Sequence, residues 1–185
     1  MIDELISDVE ERMGKSLRST EGDFSRIRAG RATTALLDSV KVDYYGTPTP
    51  LNQVATVAAP EPRLLTVSPW EKNMVPVVEK AILAANLGLT PASDGNVVRI
   101  PIPQLSEERR KELVKQVRGL AEEGRVAIRN VRRSGIEQAK QAQKGQDITE
   151  DDLKRVSDQI QKLTDQYIRD IDGALEKKVT EIMEV

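Results

Sequence analysis

The chain has 185 residues, of which 31% are charged and only 3% are aromatic, and its formal net charge at pH 7 is −2. It contains no Cys and no His, which excludes disulfide bonds, thiolate chemistry, nucleophile–His pairs and histidine metal sites. Many charged and few large aromatic side chains favour long amphipathic helices over a thick globular core.

The first residues, MIDELISDVEERM, are acidic and amphipathic, unlike a secretory signal or an Arg-rich transit peptide. No apolar run reaches the roughly 18 residues that a membrane-spanning helix needs. We therefore expect a soluble, cytoplasmic protein.

The prolines divide the chain. All nine lie between Pro48 and Pro103, and because proline breaks helix interiors, the flanking segments can form long helices. Residues 31–103 carry six basic and six acidic side chains, whereas the rest of the chain carries 22 and 24. We predict a sparsely charged domain of residues 31–103 inserted into a helical domain of residues 1–30 and 104–185.

The first predicted element is a helix. Apolar residues recur there mostly at steps of three or four, which places them on one face of a helix. They are Ile2, Ile6, Val9, Met13, Leu17, Phe24 and Ile27.

The inserted segment predicts a mixed α/β domain. β-Branched runs predict strands at residues 40–45, 54–59, 63–68 and 97–102, with YGTPTP as a turn after the first and SDGN as a tight turn before the last. Ser68, Pro69 and Glu71 fit a helix start. The following VPVVEKAILAANLG then predicts one short helix that ends near Gly88.

Two further helices follow. The second carries an apolar stripe at Leu113, Val117, Leu120, Ile128 and Val131, and the third carries one at Leu153, Val156, Ile160, Leu163, Tyr167, Ile171, Leu175 and Ile182. Ser106 suits the start of the second helix, Gly145 suits its end, and TEDD (149–152) is a capping box for the third. Three such stripes predict an elongated three-helix bundle, and the fold class is therefore α+β.

The second helix also predicts a basic face. At 100° per residue, seven basic side chains fall within about 60° of Lys111, opposite the apolar stripe. They are Lys111, Lys115, Arg118, Arg125, Arg129, Arg132 and Arg133. Residues 105–145 have eleven basic and six acidic side chains, whereas residues 146–185 have six and eleven. The near-neutral total therefore conceals a basic segment beside an acidic one.

This face has two interpretations. A charged helix face is most often a solvated surface with ion pairs between neighbouring turns. Arginine exceeds lysine here, however, and its planar fork suits the phosphates of RNA. Gly124 and Gly135 flank the cluster, at a cost of about 1 kcal/mol each relative to Ala. They indicate a close approach, either by a ligand or by a neighbouring helix.

The sequence gives little support to an enzyme. It has neither a GxxxxGK[ST] loop nor a GxGxxG motif. The acids at Asp147, Glu150, Asp151 and Asp152 do not follow the EF-hand pattern, and a capped helix start explains them better. Ser/Lys or carboxylate-pair chemistry stays open, although no motif indicates it. We expect a protein that is not an enzyme and uses no cofactor or metal.

The whole chain resembles the ribosome recycling factor family. The matching segments occur in family order, and the resemblance extends over essentially all 185 residues. They are IRAGRAT (27–33), YYGTPTPLNQVA (44–55), VEKAI (78–82), LGLTP (87–91), RIPIPQLSEERRKELVK (99–115), RVAIRNVRR (125–133) and ITEDD (148–152).

The resemblance implies an L-shaped molecule, in which the bundle joins a small β/α/β domain through a hinge at Gly30, Arg31, Pro103 and Gln104. It implies binding to the bacterial ribosome after termination, against large-subunit rRNA in the intersubunit space. Elongation factor G and GTP hydrolysis would then drive subunit separation, without covalent chemistry by this chain. The sequence itself suggests a monomer, because the bundle buries its own apolar stripes.

The same resemblance implies roles for particular residues. The first arginine of the family's NVRR motif is a main RNA contact, here Arg132, with Arg129 and Arg133 in support. Arg110, in EERRK, lies off the basic stripe near the hinge end and is also expected to contact RNA. The chain departs from many family members at Ser134, Gly135 and Ile136, and at Gly145. An alternative from a different class is a coiled-coil-like protein–protein adaptor with a charged surface.

Overall fold

The computed structural model of the protein describes residues 1–184 and contains two compact units. One comprises Met1–Ala29 and the chain from Ser106 onward, and the other comprises Gly30–Leu105. No helix among residues 1–184 is long and apolar enough to cross a membrane.

The first unit is a bundle of three helices, as the apolar periodicity predicts. The helices are α1 (Ile2–Ser25), α3 (Glu107–Lys144) and α4 (Glu150–Met183). Each contacts the other two. Ile27, predicted to continue the first stripe, lies beyond the end of α1.

The helix ends follow their predicted caps in two places. The Ser106 hydroxyl accepts the Arg109 N–H at the start of α3, and Thr149 and Asp152 form the reciprocal capping box of α4. The end of α3 differs in detail: Gly145 has a φ of −77°, and Gln146 adopts the left-handed conformation with φ +61°. The stop at this position therefore does not require the conformational freedom of glycine.

Gly124 and Gly135 of α3 are buried where this helix meets its neighbours. A Cβ on Gly135 would lie 2.6 Å from Val9 Cγ2 of α1 and 3.2 Å from Ile160 Cδ1 of α4. A Cβ on Gly124 would overlap the hydroxyl of Thr20 in α1. The close approach indicated by these glycines is therefore helix packing, and the pairings make α3 antiparallel to both other helices.

The second unit contains two antiparallel sheets, one α-helix and three short 3₁₀ helices. A hairpin of β1 (Lys41–Tyr44) and β2 (Thr47–Pro50) forms the smaller sheet. The larger sheet contains β3 (Ala55–Glu61), β4 (Leu64–Pro69), β5 (Ala92–Ser93) and β6 (Val98–Pro101), in the order β3-β4-β6-β5. Its core joins buried residues of β4 and β6 to one side of α2 (Val75–Ala84).

Two local predictions in this unit are wrong. The TPTP segment is not a turn but strand β2, whose prolines are tolerated because a two-stranded sheet leaves one edge of each strand unpaired. Ser68 and Pro69 do not start a helix, because pairing with β3 holds them in β4. Helix α2 starts at Val75 instead, with Pro76 in its first turn, and ends at Ala84, before the predicted Gly88.

We expect Gly135→Ala to lower the free energy of bundle unfolding by about 1–3 kcal/mol, because the added methyl overlaps the stiff Val9 side chain. Gly119→Ala is the matched control on the same helix. Apart from its two chain neighbours and the nearby backbone of α3, no atom of the described residues lies within 4 Å of a Cβ there.

The control should therefore raise stability by up to about 1 kcal/mol through helix propensity alone. Urea titration followed by circular dichroism at a helical wavelength measures both changes. If Gly135→Ala proved as stable as Gly119→Ala, the close packing described for Gly135 would be contradicted.

Candidate nucleic-acid interface

The predicted basic side chains line one side of α3, and we call these seven residues the basic face. They are Lys111, Lys115, Arg118, Arg125, Arg129, Arg132 and Arg133. The buried residues of α3 recur on its other side, which fixes the orientation of the helix. They are Leu113, Val117, Ala121, Gly124, Ile128, Val131, Gly135 and Ala139.

Four members of the basic face are open to solvent. Lys115, Arg118 and Arg133 are exposed and form no ion pair with any residue between 1 and 184. Lys111 has one exposed partner, Glu107, at 3.5 Å. Exposed pairs of this kind contribute little energy, so all four charges can interact with an external anion.

Arg125 departs from the outward position that the helical wheel predicts. Its side chain is only 20% exposed and lies against α4, where Nη2 is 2.7 Å from Asp172 Oδ1. Glu122 accepts a second hydrogen bond from Arg125 Nη1 at 3.0 Å. The wheel treats α3 alone, whereas a long arginine side chain bends toward an acid on the neighbouring helix.

Glu122 also binds Arg129, whose Nη1 lies 3.3 Å from Glu122 Oε1. One carboxylate in the middle of the basic face thus holds two arginines. These hydrogen bonds, that of Arg125 first, lower the pKa of Glu122 from its ordinary value. Arg129 remains 47% exposed and can exchange this contact for another anion.

Arg132 is oriented by α4. Its Nε donates to Gln161 Oε1 at 2.7 Å, and Gln161 Nε2 in turn donates to Asp165 Oδ1 at 2.9 Å. The helical wheel predicts that Arg132 points straight outward. In the structure its side chain is half-buried, so this prediction is wrong in detail. Its Nη groups have no partner among the described residues, so the end of the fork is available for an anion.

Arg110 lies off the basic face, as expected. It is half-buried, and within residues 1–184 its Nε is buried without a hydrogen-bond partner.

The residues expected to form a hinge lie at the two ends of the second unit. Gly30 has a φ of +75°, and a Cβ there would lie 3.0 Å from Leu105 Cγ, so this position requires glycine. Pro103 and Gln104 are exposed after β6.

Two residues of this surface escaped the sequence analysis, namely Gln161 and Asp172. Both lie on α4 and fix arginines of α3. Their only sequence signal is a polar residue on an amphipathic helix, and the register between two helices cannot be read from either helix alone.

The acids at the start of α4 have a structural role. Asp152 accepts the backbone N–H of Thr149 and also pairs with Arg155, and the Thr149 contact is the main cause of its lowered pKa. Among residues 1–184, no group of three or more acidic side chains could hold a metal ion.

Comparison with known proteins shows the family. The sequence profile described as "Ribosome recycling factor" matches residues 20–183. This chain belongs to the ribosome recycling factor family. The Ribosome-recycling factors of Pelotomaculum thermopropionicum and Heliobacterium modesticaldum are 56% and 53% identical to it over 185 residues, with 100% of each chain covered.

Solved structures show the same fold. A solution structure of the ribosome recycling factor is 39% identical, with a TM-score of 0.72 over 100% of this chain and 98% of the other. A second match, 47% identical with a TM-score of 0.62, covers 100% of both chains. It belongs to models of the T. thermophilus ribosome recycling factor and the E. coli elongation factor G bound to the E. coli post-termination complex.

We expect the Glu122 carboxyl to titrate below the ordinary range, and its pKa to rise in Arg125→Ala, because the largest stabilising contact of the ionised form is removed. A carboxyl whose folded-state pKa is lowered stabilises the fold above its unfolded-state pKa. This contribution is lost as the pH falls through the folded-state pKa. Carbon-detected NMR of the Glu122 carboxyl measures the shift, and an unchanged pKa in Arg125→Ala would contradict the assigned contact.

Proposed function

We propose that this member of the ribosome recycling factor family binds the bacterial ribosome after termination through its basic face, which contacts large-subunit rRNA. With elongation factor G and GTP hydrolysis, it would separate the subunits for new initiation. The single observation that carries the RNA contact is the basic face itself, with its four open charges and two arginines fixed by α4. Family members are translation factors and not enzymes, and no covalent step by this chain is required.

The arrangement suits phosphates better than base edges. The open charges are spread over 23 residues of α3, from Lys111 to Arg133, which is about 33 Å at 1.5 Å per residue. An RNA helix presents phosphates over such a length, and A-form RNA is recognised largely through its backbone and shape. None of the chain's five aromatic residues lies on α3, so base stacking is not part of the proposed contact.

The hinge role of Gly30, Arg31, Pro103 and Gln104 remains part of the proposal. Two features support it: Gly30 adopts a left-handed conformation that glycine reaches without steric cost, and Pro103 fixes the φ of the chain as it leaves the second unit. Domain boundaries at residues 30 and 104, action as a monomer, and a cytoplasmic location follow from the same proposal. The adaptor hypothesis has less support, since the apolar stripes of α1, α3 and α4 are used within the bundle.

We expect Arg132→Ala to weaken ribosome binding roughly tenfold, because a charge-assisted hydrogen bond to phosphate is lost. Helicity and melting temperature should stay nearly unchanged. Arg169→Ala is the matched control, since Arg169 is an exposed arginine on α4 outside the basic face. Binding can be measured by co-sedimentation, and splitting by light scattering with elongation factor G and GTP.

A fall in scattering with the wild type and with Arg169→Ala, lost in Arg132→Ala, is the expected result. Equal activity of both variants would remove Arg132 from the interface. Unfolding of Arg132→Ala would contradict its position at the surface. No splitting by the well-folded wild type with a matched elongation factor would overturn the proposed function itself.

We expect Glu122→Gln to tighten ribosome binding about fivefold, because Arg129 and Arg125 are freed from a competing carboxylate. Glu123→Gln removes the same charge from the adjacent exposed position, which has no ion pair within residues 1–184. Affinities measured over a series of salt concentrations compare the two variants. Equal gains in both would mean that only net charge matters, and that Glu122 does not restrain the arginines.

A further inference from the structure

The second unit carries a large aromatic side chain at its surface. Trp70, the only tryptophan of the chain, follows β4 and is 64% exposed. Its position is fixed, since the indole Nε1–H donates to Thr56 Oγ1 at 3.0 Å. Exposing a large apolar ring to water is unfavourable in free energy. Exposed aromatic rings that lie close together are typical of binding surfaces.

The β1–β2 turn brings two more aromatic rings to the same region. Tyr45 is 70% exposed and adopts φ +49°, which is unfavourable for a residue with a side chain. Its ring meets the Tyr44 ring edge-on, with centroids 4.7 Å apart. The Tyr45 hydroxyl points toward Glu71, with its oxygen 3.5 Å from Glu71 Oε1. The turn thus connects the hairpin to the residue after Trp70.

A cleft of about 440 Å³ lies between these elements. It is lined by Tyr44, Thr49, Gln53, Val54, Trp70 and Glu71. Glu71 is exposed and forms no ion pair with any residue of the described chain. The nearby Glu71 carboxylate acts on the cleft wall, because it is the main cause of the raised pKa of Tyr44.

The cleft favours cations, whereas the basic face favours anions. Aromatic rings attract cations to their faces, and a carboxylate without a counterion adds a full negative charge. None of the described residues that line the cleft is basic, so phosphate is disfavoured. A guanidinium satisfies both features, because it is planar enough to stack on a ring and can bind a carboxylate through two N–H groups. A lysine ammonium lacks the planar surface.

We propose that the cleft formed by Tyr44, Trp70 and Glu71 binds an arginine side chain presented by a protein partner. The site shares no residue with the basic face and does not depend on RNA binding. Thr49 and Gln53 offer further oxygen acceptors for a guanidinium N–H at the rim. The second unit would thereby contribute a protein contact while α3 contributes the nucleic-acid contact.

Trp70 provides the measurement, since it is the only source of tryptophan fluorescence in the chain. The full-length protein is titrated with a blocked tripeptide that has arginine at its centre. The control peptide carries citrulline, which has the same shape without the charge. We expect a saturable change in emission with the arginine peptide only. Glu71→Gln should weaken binding about fivefold. The control Glu61→Gln should leave it unchanged, since Glu61 is exposed and forms no ion pair within residues 1–184.

A second variant keeps the test independent of fluorescence. In Trp70→Leu, checked for fold by circular dichroism, the arginine peptide should no longer shift the backbone amide signal of Glu71. Equal binding of both peptides, equal binding by Glu71→Gln, or no binding at millimolar peptide would overturn the proposal. So would a change in emission with a short oligouridine but not with the arginine peptide, which would indicate base stacking on Trp70. None of these outcomes bears on ribosome binding by the basic face.

Discussion

The close approach of α3 to its two neighbours is the constraint on which the rest of the bundle depends. At Gly124 and Gly135 the backbone of α3 meets side chains of α1 and α4 where a methyl group would not fit. Because these contacts fix the rotation of α3, they also fix which side of it faces solvent. The basic face is therefore placed by the core, although none of its members belongs to the core.

Two groups of charges on the basic face have different physical roles. Lys115, Arg118 and Arg133 are exposed to water, and they supply long-range attraction that salt can screen. Arg125 and Arg132 are held by Asp172 and Gln161 of α4. A fixed guanidinium loses less side-chain entropy on binding, so it contributes more to geometry than to attraction. Such a surface can both attract an RNA and set its position.

The sequence predicted what depends on local periodicity and on caps. The three long helices, the Ser106 cap, the Thr149 capping box and the basic face of α3 all follow from spacing within one segment. The sequence predictions were wrong where contact with another segment of the chain decides the local structure. Pairing with β3 overrode the helix start at Ser68, and pairing with β1 made the TPTP segment a strand. The contacts of Arg125 and Arg132 depend on the register between α3 and α4, which no single segment encodes.

The insertion of the second unit between α1 and α3 has a consequence for biosynthesis. Arg12 of α1 contacts Ser134 of α3, a partner 122 positions later in the chain. The ribosome therefore releases α1 and then the whole of Gly30–Leu105 before either helix that covers the apolar stripe of α1 exists. The second unit has its own core and can fold during this interval, whereas α1 waits with its apolar side uncovered. The nascent chain can therefore fold its inserted second unit before the three-helix bundle is complete.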